Sequence, residues 1–222
     1  MIDAKVWLVT GPGGSRIDFI AGWLGSLPNF ISTRWSIHPS TGASSGEMHD
    51  TKQLDDDMGV SIAHYLSEYR INLTSDSQYT YAGSCHGYAL DSLIDEVDDS
   101  VKVFYINPEP EYYEKVRWEF FVKTWLTPII TRDETPTPAH AELMDRASRM
   151  SILPVSVPYT RPRIILSYGK LFSVGGSKYL CEVAGIDVEE KYHRYYDAML
   201  SVADSPDEIT VNGSLWKRSD YF

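Results

Sequence analysis

Apolar positions along the chain alternate between two rhythms, and the first change of rhythm is the most informative. Residues 5–10 (KVWLVT) form a short, apolar, β-rich run that predicts a buried strand. Gly11-Pro12-Gly13-Gly14 ends it. Ser15 stands where a helix cap is expected, Phe19, Ile20, Trp23 and Leu24 then recur at helical spacing, and Leu27-Pro28 closes the helix. The unit is strand, glycine loop, helix. Residues 78–82 (QYTYA) predict a second strand ending at Gly83-Ser84-Cys85-His86-Gly87, followed by a short amphipathic helix through Leu90, Leu93 and Ile94. Residues 101–106 (VKVFYI) predict a buried strand. Asn107-Pro108-Glu109-Pro110 then opens a helix to Leu126, with Tyr113, Val116, Phe120 and Trp125 as bulky positions. A loop over 127–138, a weak helix over 139–150, a strand over 163–167 and helices over 171–184 and 188–202 complete the pattern.

Two segments follow neither rhythm. Residues 29–52 are rich in Ser, Thr and Gly, include Trp35, His38, Met48 and His49, and read as an irregular insertion or lid. Residues 204–222 read as a polar, irregular tail ending in Trp216-Lys217-Arg218. Asp55-Asp56-Asp57 precede a helical pattern through Val60, Ile62, Ala63, Tyr65 and Leu66. Consecutive carboxylates on a helix point in different directions, so the triplet reads as a solvated helix start and not as a metal site. Strands alternating with helices predict one α/β domain over residues 1–222, a three-layer α/β/α arrangement around a parallel sheet. Ligands of such sheets sit at the carboxyl ends of the strands. The glycine loop, the segment 83–86 and Asn107 each follow a predicted strand and so fall on one edge.

Charge narrows the partners. With 31 acidic and 20 basic residues the net charge is −11, which argues against a nucleic-acid binder that works by neutralising phosphates. A small anion remains compatible, because backbone dipoles and one or two Arg residues hold a phosphate inside an acidic protein. Cys85 and Cys181 are too few for a disulfide framework or a paired-cysteine zinc site and read as reduced thiols. The sequence opening Met1-Ile2-Asp3-Ala4-Lys5 lacks a signal-peptide pattern, and no apolar run approaches the roughly 20 residues of a membrane span. The expectation is a cytoplasmic protein. Asn72-Leu73-Thr74 and Asn212-Gly213-Ser214 match the glycosylation pattern and read as chance.

Gly11-Pro12-Gly13-Gly14-Ser15-Arg16 carries the candidate chemistry. A loop that wraps an anion turns its N–H groups inward, and glycine permits the required dihedrals. The following helix end adds partial positive charge, and Arg16 adds a bidentate donor. The alternative is a tight strand-to-helix turn without a ligand. The loop lacks the Gly-Lys-Ser/Thr ending of nucleotide triphosphatases, and Asn107 stands where their magnesium-holding Asp is expected.

Residues 9–27 (VTGPGGSRIDFIAGWLGSL) resemble the opening of the sulfotransferases that use 3′-phosphoadenylyl sulfate (PAPS), with Ser15 on the family's loop Ser and Phe19, Ile20 and Leu24 on its apolar helix positions. Tyr81-Ala82-Gly83-Ser84-Cys85-His86 resembles the strand ending in Lys-Ser/Thr-His. Residues 101–117 resemble the segment that holds the donor's 3′-phosphate, and 163–185 the late strand, turn and helix. Gly13-Gly14 stand in place of Pro-Lys/Arg, Arg16 in place of Gly, and Asn107 in place of the 3′-phosphate Arg.

The resemblance implies a P-loop-like sulfotransferase fold and transfer of a sulfuryl group from PAPS to a hydroxyl or amine. It implies that Gly11, Gly13, Gly14, Ser15 and Arg16 hold the donor sulfate and 5′-phosphate. Asn107, Lys115 and Arg117 would meet the 3′-phosphate, Ser84 would orient the ligand, and His86 would act as general base. Catalysis would then rest on His86 and Arg16, with no metal, on a small-molecule or carbohydrate acceptor. Two alternatives are a non-catalytic binding protein on the same fold and a small nucleotide kinase. By their positions alone, His64 and His193 and the run Tyr192-His193-Arg194-Tyr195-Tyr196 read as surface or packing residues, and His140 in the weak helix is unassigned.

Overall fold

The computed structural model describes residues 6–32, 35–46, 79–86, 101–132 and 164–220. The helices predicted at 55–66, 88–94 and 139–150 lie outside the described residues.

A five-stranded parallel sheet forms the centre. Its strands are β1 (Val6–Gly11), β2 (Phe30–Ser32), β5 (Thr80–His86), β6 (Val101–Asn107) and β7 (Ile164–Ser167), in the order β2-β5-β1-β6-β7. The predicted α/β class with a central parallel sheet is what the structure shows. All six residues of β1 are buried. Trp7 and Val9 belong to the main apolar core, while Val6, Leu8 and Thr10, which alternate with them, are buried as well. Both faces of the central strand are therefore covered, as a parallel sheet requires.

Helix α1 (Ile17–Gly25) follows the glycine loop, and its residues from Ile17 to Leu24 are all buried. A helix without a polar face belongs inside a core. Trp23 packs edge-on against Tyr196, and its indole N–H donates to the Tyr192 carbonyl at 3.0 Å. Those partners lie on α6 (Glu190–Val202), which follows α5 (Gly176–Ala184). Tyr192 and Tyr196 of the 192–196 run serve packing here, whereas Tyr195 is exposed, and His193 Nδ1 lies 3.0 Å from Ser177 Oγ. Lys102 on β6 is buried with its amine donating to the Ala184 carbonyl at 2.6 Å, 4.5 Å from the Trp7 ring centroid. Loss of hydration pulls its pKa down.

Several predicted boundaries move. β5 runs through His86, so Gly83-Ser84-Cys85-His86 is strand and not the turn after one. The late helix is two pieces, α4 (Tyr168–Leu171) and α5, separated by a turn with Gly175 at φ 82°. The helix after Asn107 continues beyond Leu126. It comprises a 3-10 turn (Pro110–Tyr112), α2 (Tyr113–Phe121), a π turn (Val122–Leu126) and α3 (Thr127–Arg132). Pro128 suggested a loop, since proline lacks an N–H and crowds the carbonyl four residues back. The π turn widens the helix at that point, and Thr127 both donates its N–H and, at 2.8 Å, its hydroxyl to the Val122 carbonyl.

The two segments read as irregular contain strands. Part of 29–52 forms β2, which extends the sheet, and a small antiparallel pair of β3 (Trp35–Ile37) and β4 (Ser44–Gly46). The tail folds into an antiparallel hairpin of β8 (Glu208–Val211) and β9 (Ser214–Lys217). Asn212 (φ 48°) and Gly213 (φ 80°) make its turn, a pairing whose positive φ values suit a two-residue hairpin. A second apolar cluster lies here, joining Ile209, Val211 and Trp216 to Trp118, Phe121, Val122 and Leu126.

Candidate functional site

Parallel register brings the predicted segments together. Gly11, the last residue of β1, is the direct Cα partner of His86, the last residue of β5. On the other side Thr10 pairs with Tyr105 of β6, and Asn107 ends that strand opposite Ser167 of β7. The glycine loop, His86 and Asn107 thus share the carboxyl edge of one sheet, with adjacent strands roughly 4.8 Å apart.

The loop itself is a tight turn. The Ser15 N–H donates to the Pro12 carbonyl at 3.1 Å, and the Ser15 hydroxyl donates to the same oxygen at 2.6 Å. Gly14 has φ 84°, and Arg16 takes a left-handed conformation at φ 57° as α1 begins. A Cβ on Gly14 would lie 2.0 Å from the Val116 carbonyl oxygen, and one on Gly13 would lie 2.4 Å from the Phe120 ring. Helix α2 therefore rests directly on the turn, and the glycines answer to that approach as well as to dihedral freedom. One on Gly11 would lie 2.4 Å from Ser15 Oγ. Pro12, Gly13 and Gly14 stay half-buried, whereas Ser15 and Arg16 are buried.

Arg16 is the centre of an ion cluster. Its Nη2 donates in a very short contact to Glu119 Oε1 and, at 2.5 Å, to Asp204 Oδ1. Glu119, on α2, is itself 4% exposed and also accepts from Ser205, through the N–H at 3.2 Å and the hydroxyl at 2.8 Å. Lys115 Nζ reaches the same Asp204 Oδ1 at 2.7 Å. Burial works against the charge on Arg16, but the Glu119 and Asp204 carboxylates outweigh it and hold the guanidinium firmly protonated. Burial opposes the charge on Asp204 too, yet Lys115 and Arg16 hold its carboxyl below the usual range. Burial pushes the Tyr168 hydroxyl well up, so it stays a neutral donor. The Phe172 ring lies 5.2 Å from the guanidinium carbon.

A second constellation sits on the other side of the helix start. Asp18 of α1 is 2% exposed; its Oδ1 accepts from Ser84 Oγ at 2.6 Å and its Oδ2 from Lys123 Nζ at 2.5 Å. Lys123 lies in the π turn. The loop is thereby braced through residues of α2, the π turn, β5 and the segment after α6.

No protein-family model matches this chain, and no curated protein matches it. A solved structure, mouse sulfotransferase SULT7A1 complexed with PAP, is similar to it. The match covers 99% of this chain and 78% of that one, at a TM-score of 0.47 and 16% identity. Among the described residues, no helix is long and apolar enough to cross a membrane.

Among the residues singled out from sequence, Gly11, Gly13, Gly14 and Ser15 form the turn, His86 adjoins Gly11, and Arg16 and Lys115 converge on one carboxylate oxygen. Ser84 bonds Asp18, and Asn107 ends β6 at the shared edge. Arg117 is half-buried, and its Nε has no hydrogen-bond partner. Glu119, Asp204, Asp18, Lys123 and Tyr168 complete the cluster and were not anticipated. Glu119 lay between Trp118 and Phe120 in a predicted apolar helix, and a carboxylate in that setting needs a buried cation.

Proposed function

We propose that this chain transfers a sulfuryl group from PAPS to a hydroxyl or amine acceptor at the sheet edge where His86 adjoins Gly11. The adjacency of those two strand ends carries the reading, because it sets a candidate general base beside the candidate donor loop. In this reading Gly13 and Gly14 present the loop to the donor, and Asn107 lies at the same edge for its nucleotide part. His86 takes the proton from the acceptor as the new bond to sulfur forms. The bond from sulfur to the 5′-phosphate oxygen breaks, and adenosine 3′,5′-bisphosphate leaves. The Arg16 guanidinium, at the start of α1, bonds Glu119 and Asp204. The β3-β4 pair would cover a small-molecule or carbohydrate acceptor.

A second reading, a non-catalytic binding protein on the same fold, is favoured by the charge balance. Arg16, Lys115 and Lys123 are each matched by Glu119, Asp204 or Asp18, which leaves less free positive charge for a donor. Thermal melting and a transfer assay separate the two. Transferase function predicts that adenosine 3′,5′-bisphosphate raises Tm, that PAPS is turned over on a panel of phenols, sugars and amines, and that His86→Ala lowers turnover at least about a hundredfold. A raised Tm without turnover supports the binding reading. Full turnover by His86→Ala removes the catalytic assignment, and no Tm response to bisphosphate overturns the donor site. A response to ATP with magnesium would point instead to the kinase alternative.

A further inference from the structure

Two cations from distant parts of the chain meet on a single acceptor atom. Arg16 Nη2 and Lys115 Nζ lie 2.5 Å and 2.7 Å from Asp204 Oδ1. Arg16 belongs to the glycine loop and Lys115 to the first turn of α2, whereas Asp204 follows the end of α6. Two polar atoms of the same cluster lack a hydrogen-bond partner: Arg16 Nε, in a residue 6% exposed, and the hydroxyl of Tyr168, a residue 1% exposed. Buried donors without an acceptor are costly. One carboxylate oxygen leaves them unpaired, whereas a tetrahedral oxyanion offers several acceptors around a centre of higher charge.

The occupant is fixed differently from the place it occupies. Ser205, the next residue, is anchored to Glu119 by both its N–H and its hydroxyl. The Asp204 side chain by contrast is 53% exposed, so it can leave by rotation while the backbone stays put. Glu119 stays on Arg16 and keeps that buried charge compensated when Asp204 turns away.

We propose that Arg16, Lys115 and Tyr168 form one seat for a phosphate or sulfate group, and that the Asp204 carboxylate is its internal occupant, a gate that the ligand must displace. This deepens the transferase reading and rests on it for the identity of the ligand: both cations serve one anionic group, and affinity is set by competition with Asp204.

Titration calorimetry of the full chain with adenosine 3′,5′-bisphosphate, and separately with inorganic phosphate, tests the gate. Asp204→Asn is expected to bind each about tenfold more tightly, because a neutral amide competes less well for the two cations than a carboxylate. Adding Lys115→Met to that variant is expected to remove the gain. Unchanged or weaker binding by Asp204→Asn overturns the gate, and bisphosphate binding by the parent chain would leave the donor reading standing. If Asp204→Asn gains affinity for phosphate while bisphosphate binds neither form, the seat stands and the donor reading falls. Should Asp204→Asn fail to melt cooperatively, Lys115→Met alone decides: about a tenfold loss of anion affinity supports the seat, and no change overturns it.

Discussion

At the scale of single residues, Glu119 holds the most interactions together. It compensates Arg16 and takes both donors of Ser205, so it ties the glycine loop to the segment after α6. Removing one partner of a buried ion pair strands the other. Glu119→Ala is expected to cost about 3–5 kcal/mol in urea unfolding, and Glu119→Gln less, because the amide oxygen still accepts from Ser205. A loss under about 1 kcal/mol for Glu119→Ala, the worth of an exposed pair, would show that Arg16 is not held as described. Cys181 supplies a pH dependence. Burial first, and Asp187 second, push its thiol from an ordinary value of 9.0 up to about 11. The unfolded chain therefore loses this proton before the folded one does. The contribution is complete below the ordinary value and is lost as pH rises through the folded value, about 2–3 kcal/mol over that window. With Cys85 replaced by Ala, this fall should appear in urea unfolding between pH 8.5 and about 11, and Cys181→Ala should flatten it.

At the scale of elements, two glycines with nearly the same dihedral carry different burdens. Gly14 (φ 84°) meets the Val116 carbonyl and the Phe120 N–H, whereas Gly175 (φ 82°) has nothing within 4 Å of its would-be Cβ. Gly175→Ala is expected to cost about 1 kcal/mol, the price of the left-handed backbone alone. Gly14→Ala adds a backbone clash and should cost more than about 3 kcal/mol or prevent folding. Thermal melts of the two variants compare them directly, and equal losses would mean that α2 does not rest on the loop. The long helix makes a related point. Its π turn lets the chain continue past Pro128 and places Lys123 on Asp18.

At the scale of the whole molecule, the hairpin after α6 belongs to the fold. Trp216 is 9% exposed, and its ring centroid is 5.7 Å from that of Phe121 on α2. The Trp118 indole N–H donates to the Pro206 carbonyl at 2.9 Å. Residues 204–206 thus link the second apolar cluster to the Arg16 cluster. Trp216→Ala is expected to lower stability by about 3 kcal/mol or more in denaturant unfolding. A change below about 0.5 kcal/mol, the size of an ordinary surface substitution, would show the hairpin to be a mere appendage.

Local patterns determined the alternation of strands and helices, the glycine turn after β1 and the edge on which His86 and Asn107 fall, because periodicity and turn chemistry act over a few residues. They also held the hairpin, in Asn212-Gly213, although the polar character of the tail obscured it. Only the tertiary structure decided what Arg16 does. Its partners lie 103 and 188 residues away, and no local rule carries a preference over that distance. An arginine after a glycine loop suits an anion from solution or a carboxylate from the same chain equally well; the packing of α2 and of the segment after α6 against the loop brings Glu119 and Asp204 to it.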